Sequence, residues 1–158
     1  MLAIDSQRVK IVAFTSEETG IDGGKKVNGR KRTLIVDTNG LPLAIKVRAA
    51  NISDNAAGIL AVDLLAGKTE RLKIITVDAG YKTTFKDYTE AKYSCTVEVM
   101  QKPESSTGFV SQKNRWQVER SFSWLNFCRR LLRDVENTVL SAEAMIQIAF
   151  ISFCINSL

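Results

Sequence analysis

The sequence predicts an α/β domain built on a mixed sheet, and three observations carry that reading. Two β-rich apolar runs, TLIVD (33–37) and LPLAIKVRA (41–49), flank an Asn-Gly pair, the strongest short hairpin signal. The run LKIITV (72–77) is short, apolar and β-branched and follows a helical segment, as a buried strand after a crossover should. From Asn114 onward the pattern turns helical: Val118, Phe122, Leu125, Cys128 and Leu132 advance by four, three, three and four along one apolar stripe. A chain of 158 residues is enough for one domain with a real core.

The remaining elements follow in order. Residues 2–14 (LAIDSQRVKIVAF) read as an extended segment with Asp5 among apolar neighbours. GIDGGKKVNGR (20–30) holds four glycines in eleven residues and reads as a loop before the hairpin. Asp54 is the expected N-cap of an Ala- and Leu-rich helix over 56–66, with Gly67 as its stop. A short helix is expected over 82–92, a strand over 95–100 and a loop over 102–109. A last helix, 141–157, is apolar on most sides and should pack across the sheet.

Composition narrows the chemistry. Hydrophobic content of 45% and charged content of 25% are globular values. There is no histidine, which excludes Ser-His-Asp and Cys-His catalysis and any imidazole metal site. Cys95, Cys128 and Cys154 lack a C-x-x-C spacing, so they read as small hydrophobes in a reducing compartment, not as a disulfide framework or thiolate site. The N-terminus shows no apolar signal region, and Ala144 to Ile155, interrupted by Gln147 and Ser152, is too short to span a bilayer. A soluble cytoplasmic protein with no membrane partner is the expectation.

The formal net charge is +5 and the cations cluster. Lys25, Lys26, Arg30, Lys31 and Arg32 place five in eight residues, and Lys113, Arg115, Arg120, Arg129, Arg130 and Arg133 form a second group in which Glu119 is the one acid. Each cluster alone reads equally well as a solvated face. Two clusters of one sign point to nucleic acid.

Acids beside apolar strand residues suggest a different site. Asp5 follows Leu2-Ala3-Ile4, and Asp78 ends LKIITV. If those strands are adjacent, two carboxylates converge at one sheet edge, and their repulsion calls for a cation or a raised pKa. Mg²⁺ suits such oxygen ligands. The blander reading of each is a turn or cap residue. On the C-terminal helix Arg115, Glu119, Ser123, Asn126 and Arg130 form a polar stripe, and Glu119 reads either as a third ligand or as half of an exposed Arg–Glu pair.

Five strings settle between these readings: IDSQRVK (4–10), GGKKVNGRKRTLIVDTNGLPLA (23–44), ANISD (50–54), TVDAGY (76–81) and RWQVERSFSWLNFCRRLLRD (115–134). Together and in this order the chain resembles bacterial insertion-sequence DDE transposases, in the subgroup with an Asp-Ser-Gln first acid and an Arg-Trp-x-x-Glu-Arg helix. The resemblance implies a ribonuclease H-like fold, a mixed five-stranded sheet flanked by helices, with residues 1–158 as the catalytic domain. It implies Asp5, Asp78 and Glu119 as catalytic and metal-binding acids holding two Mg²⁺ or Mn²⁺ ions for in-line phosphoryl transfer.

The same resemblance implies double-stranded DNA as partner, both transposon ends and target, and a homo-oligomer in the active complex. Arg115 matches the arginine of the family's Tyr-Arg-Glu-Lys signature, whereas Gln112 and Asn126 replace its tyrosine and lysine. Arg129 and Arg130 form the arginine pair that cousins carry further along, and with Lys31, Arg32 and Arg115 they are the expected DNA contacts. Arg8 stands where the family often has serine and Thr33 where it often has histidine. The family's N-terminal DNA-binding region is expected to be absent, supplied by an upstream polypeptide or lost. The alternatives are an inactive remnant that binds DNA non-specifically and a structure-specific nuclease on the same fold. A first strand with only Met1 to Ile4 before Asp5 should be weakened.

Overall fold

Strands whose side chains alternate between two apolar faces require cover on both, and the chain supplies helices for each. The computed structural model describes residues 1–68, 70, 72–100 and 115–156; the loop expected over 102–109, and the positions Gln112 and Lys113, lie outside the described residues. In chain order the elements are β1 (Leu2–Lys10), β2 (Gly20–Asp22), β3 (Val27–Val36), β4 (Pro42–Ala49), α1 (Asp54–Val62), β5 (Ile74–Asp78), α2 (Thr84–Tyr93), β6 (Thr96–Met100), α3 (Trp116–Phe127) and α4 (Val139–Asn156).

The five long strands lie in the order β4-β3-β1-β5-β6. The hairpin side is antiparallel and the β1-β5-β6 side is parallel, so the sheet is mixed and consistent with a ribonuclease H-like fold. The sheet has six strands and not the expected five, because β2 pairs with the first residues of β3. That pairing, and the β3 start at Val27, replace part of the glycine-rich loop with strand. Gly29 explains the requirement for glycine there: a Cβ would come within 1.9 Å of the Val9 carbonyl oxygen across the β1–β3 ladder.

Ala3, Leu34, Val36, Ile45 and Val47 face one side and pack under α3 and α4. Leu2, Ile4, Ile35, Ala44, Ile75 and Val77 face the other, under α1 and α2. The β3–β4 turn is as expected: Asp37 Oδ1 accepts from the Asn39 and Leu41 amides at 2.8 Å each, and Gly40 takes φ +80°. The α1 cap is Ser53, whose side chain accepts from the Ala56 amide, and not Asp54, which is engaged by cations instead. Gly67, at φ +73°, closes the segment as predicted.

The first strand is better held than its short lead implies. β1 pairs with β3 from Ala3 to Lys10, although its parallel ladder with β5 covers only Leu2–Ile75 and Ala3–Thr76. The apolar stripe of α3 is buried at Val118, Phe122 and Leu125, but the helix ends at Phe127 and Leu132 is exposed. Helix α4 is long and apolar enough to cross a membrane by length and composition alone, longer than the apolar stretch predicted; its Ala142, Ile146, Ala149 and Phe150 are buried against the sheet. Of the three free thiols Cys95 is buried as expected, whereas Cys154 is exposed.

Candidate active site

Register alone places two of the acids together. Ala3 pairs with Thr76, so two residues further along the parallel strands Asp5 and Asp78 emerge side by side on one face. That face is the one α3 covers, and α3 brings Arg115 and Glu119 to it. The Arg115 guanidinium then touches all three carboxylates: Nη2 is 3.0 Å from Asp5 Oδ2 and 3.8 Å from Glu119 Oε1, and Nη1 is 3.4 Å from Asp78 Oδ1. Residues 73 and 114 positions apart in the chain thus share one cation.

The three acids differ in setting. Asp5 is the deepest, with 22% of its side chain exposed, against 46% for Asp78 and 48% for Glu119. Burial raises the Asp5 carboxyl above the ordinary range, and the nearby Asp78 charge adds to this; the Ser6 amide and Arg115 oppose it without cancelling it. Asp78 also accepts from the Ala79 amide at 2.8 Å, which starts a short 3-10 turn over Ala79–Tyr81.

The neighbouring motif residues hold the frame. Ser6 points to the opposite face from Asp5, where its hydroxyl meets Tyr81 at 2.5 Å and Thr33 at 3.0 Å, tying β1 to the turn that follows Asp78. Tyr81 and Phe85 pack edge to face over Gly58 of α1, where a Cβ would stand 2.8 Å from each ring. Gln7 donates to Asn126 of α3 at 3.3 Å. On the Ser6 face, Arg8 and Lys31 converge on Asp54, with Arg8 also bound to Asp22 at 2.8 Å. Sequence reading missed Arg8, Tyr81 and Asp54 as this supporting network, although each lies in a quoted motif string.

The basic clusters separate sharply. Lys31 and Arg32, expected to contact DNA, are 1% exposed, and Arg30 beside them is fully buried. β3 is paired on both edges and covered on both faces, so its side chains have no route to a phosphate. Lys31 bonds the Ile52 carbonyl and Asp54, Arg32 the Leu131 carbonyl, and Arg30 bonds Asp134 and the carbonyls of Glu17, Glu136 and Asn137. The expectation for Lys31 and Arg32 is therefore corrected: they are structural cations. Arg129 and Arg130 are exposed, on the turn just beyond α3, with Arg130 paired to Glu136 at 2.8 Å.

Whether the acids suit divalent ions can be tested on the donors. Three carboxylates with no thiol or imidazole form a hard oxygen set, and their gathering of a guanidinium shows that they attract positive charge. Among the described residues no three acids stand close enough to share an ion as they lie. The donor chemistry, oxygen only, is of the kind that Mg²⁺ and Mn²⁺ prefer.

Comparisons with known proteins follow the geometry. Residues 1–154 match the family model described as a transposase DDE domain. A Burkholderia cepacia protein assigned as transposase for insertion sequence element IS402 is 28% identical over 138 residues, covering 82% of this chain. The match spans 64% of that relative's own length.

Proposed function

We propose, from the premise that the chain belongs to the transposase DDE domain family, that it is the phosphoryl-transfer domain of a DNA transposase and cuts and joins DNA strands through Asp5, Asp78 and Glu119. One observation carries this reading: three acids from β1, the end of β5 and α3 converge on a single guanidinium. With bound Mg²⁺ or Mn²⁺ these carboxylates would hold a pair of ions, which supply activation of the attacking hydroxyl and charge stabilisation at the leaving oxygen.

The chain's own residues do the rest. Asp5, on a strand paired to β3 from Ala3 to Lys10, sets the deep end of the site, and the Ser6–Tyr81 bond holds the β5 end in register with it. Glu119 rides on α3, whose N-terminal end faces the acids and lends them positive potential. Arg115 offsets part of the charge on the three carboxylates. With a divalent ion bound at the acids, Arg115 would be able to turn to a DNA phosphate, alongside the exposed Arg129 and Arg130.

The test uses two readouts. Calorimetry with Mn²⁺ should give binding to the chain that Asp5→Asn and Asp78→Asn each abolish, with circular dichroism unchanged. In the complete protein, Asp5→Asn, Asp78→Asn and Glu119→Gln should each reduce cleavage and strand transfer of labelled element ends to background. Full activity in any one variant would remove that acid from the site. Metal-independent DNA binding with no nicking would favour an inactive remnant, and cleavage without joining a nuclease.

A further inference from the structure

Helix α4 is apolar on nearly every side, and the sheet uses only one of them. Ala142, Ile146, Ala149 and Phe150 are buried there, yet just 28% of the helix's 18 residues are buried. A helix that is apolar all round calls for cover all round. Leu140, Ala144, Gln147, Ile148, Ile151 and Ile155 fall within about 100° of the helix circumference at 3.6 residues per turn. All six are exposed, and Leu140, Ile148, Ile151 and Ile155 are between 56% and 71% exposed. Among the described residues no element covers this second face.

The chemistry of the open face selects its occupant. Glu143, the one charged residue of α4, turns aside to Lys46 at 3.2 Å and to the Val47 amide at 2.9 Å. The open face is therefore neutral, which suits neither a phosphate backbone nor a charged peptide. A helix that lies on a membrane surface carries lysine or arginine beside its apolar face, and α4 has none. The outer edge of β4 is a poor acceptor for an added strand, because Pro42 begins it and Glu143 already takes the Val47 amide.

A second copy fits. Laid antiparallel on α4 of another chain, the six positions pair among themselves: Leu140 with Ile155, Ala144 with Ile151, and Gln147 with Ile148. Self-matching of this kind is what a two-fold interface requires. The small Ala144 opposite Ile151 lets the helix axes approach to about 8–10 Å. A groove of about 530 Å³ between residues 41–45 and the last turns of α4 runs beside Ile151 and Ile155, where Leu140 of the other copy would lie. The exposed parts of Leu43, Leu140, Ile148, Ile151 and Ile155 amount to about 500 Å² per chain. Two copies then bury about 1,000 Å², the size at which a specific interface becomes stable.

We infer that the chain forms a two-fold homodimer in the absence of DNA, through antiparallel packing of α4 on α4 of a second copy. Gln147, beside the two-fold axis, disfavours shifted registers that would bury it against isoleucine alone. The inference makes no use of the acids and holds whatever reaction they perform.

Sedimentation velocity of the full chain without DNA should show a dimer at about 50 μM, and Tm should rise with concentration. Ile151→Glu, at a position exposed in the single chain, should raise the dimer Kd at least about a hundredfold with circular dichroism unchanged. Leu140→Glu and Ile155→Lys should each dissociate the dimer, and mixing the two should restore it, because the glutamate of one copy then meets the lysine of the other. Recovery in the mixture separates a lost contact from a lost fold. A monomeric parent at that concentration, or a dimer unchanged by Ile151→Glu, overturns the inference. Failure of two folded single variants to recover on mixing overturns the antiparallel arrangement. A monomer that binds phosphatidylcholine vesicles, and ceases to in Ile151→Glu, gives the face to lipid and overturns the dimer.

Discussion

Replacing Asp134 by Asn tests whether the basic run of β3 is structural. The Asp134 and Arg30 side chains are both fully buried, and that of Arg32 is 2% exposed. Asp134 Oδ1 lies 3.2 Å from Arg30 and Oδ2 lies 4.0 Å from Arg32, so one carboxylate serves two cations. Burial lowers the proton affinity of Arg32; the Arg30 charge adds to this and Asp134 opposes it. Asn keeps the volume and leaves no cavity, but removes the charge and turns one acceptor oxygen into an N–H donor. Breaking a buried pair from one side costs about 3–5 kcal/mol, and the carbonyls that remain around Arg30 place this case near about 3 kcal/mol. For a domain of this size that lowers Tm by roughly 6–12 °C, readable by calorimetry at neutral pH. Adding Arg32→Met to Asp134→Asn should recover part of the loss, a non-additivity expected of groups in contact. The reasoning is refuted if Asp134→Asn melts within about 2 °C of the parent.

Three further outcomes are expected. Arg129→Ala and Arg130→Ala should each reduce the salt slope of DNA binding by about one, whereas Arg32→Met should lower Tm and leave the slope unchanged. Gly58→Ala should destabilise by about 1–2 kcal/mol, because overpacking against Tyr81 and Phe85 exceeds the gain in helix propensity; a raised Tm would contradict the ring contacts. Asp5→Asn should stabilise the fold above the ordinary carboxylate range. Burial raises the folded-state pKa above the unfolded one, so the folded state loses stability as pH rises through that window, and Asn has no proton to lose. The difference should vanish at low pH, and equal melting curves at neutral pH would refute the buried setting of Asp5.

Periodicity made the layers legible before any coordinates. The Asn-Gly turn, the buried run ending at Asp78 and the Val118/Phe122/Leu125 stripe each stand where the pattern places them, because each is a local consequence of side-chain spacing. The short β2 strand was not legible: GID has no alternation, and it forms because β3 extends backward to pair with it. Nor was the Ser53 cap, since Ser53 and Asp54 are both good capping residues and only the pull of Arg8 and Lys31 on Asp54 decides between them. The convergence of Asp5 and Asp78 needed strand adjacency, which a single sequence supplies only through resemblance to a family. The position of Arg115 between the acids needed the side chains.

The two basic clusters show why charge counted along a chain misleads about surface field. In KKVNGRKR three consecutive cations look like a phosphate grip, yet a strand paired on both edges cannot present them, and each instead meets an acid or backbone carbonyls within the fold. The acids that neutralise them, Asp54 and Asp134, are distant in sequence, so no local window reveals the compensation. The second cluster differs because a helix exposes whatever its apolar stripe leaves over. Arg115 goes to the acids, Arg120 is clamped between indoles, and Arg129 and Arg130 remain at the surface. On the proposed reading, the field that would act on DNA therefore arises from α3 and the turn after it. If binding and chemistry share one helix as proposed, a substitution that tilts α3, such as Leu125→Ala in its buried stripe, should weaken both together.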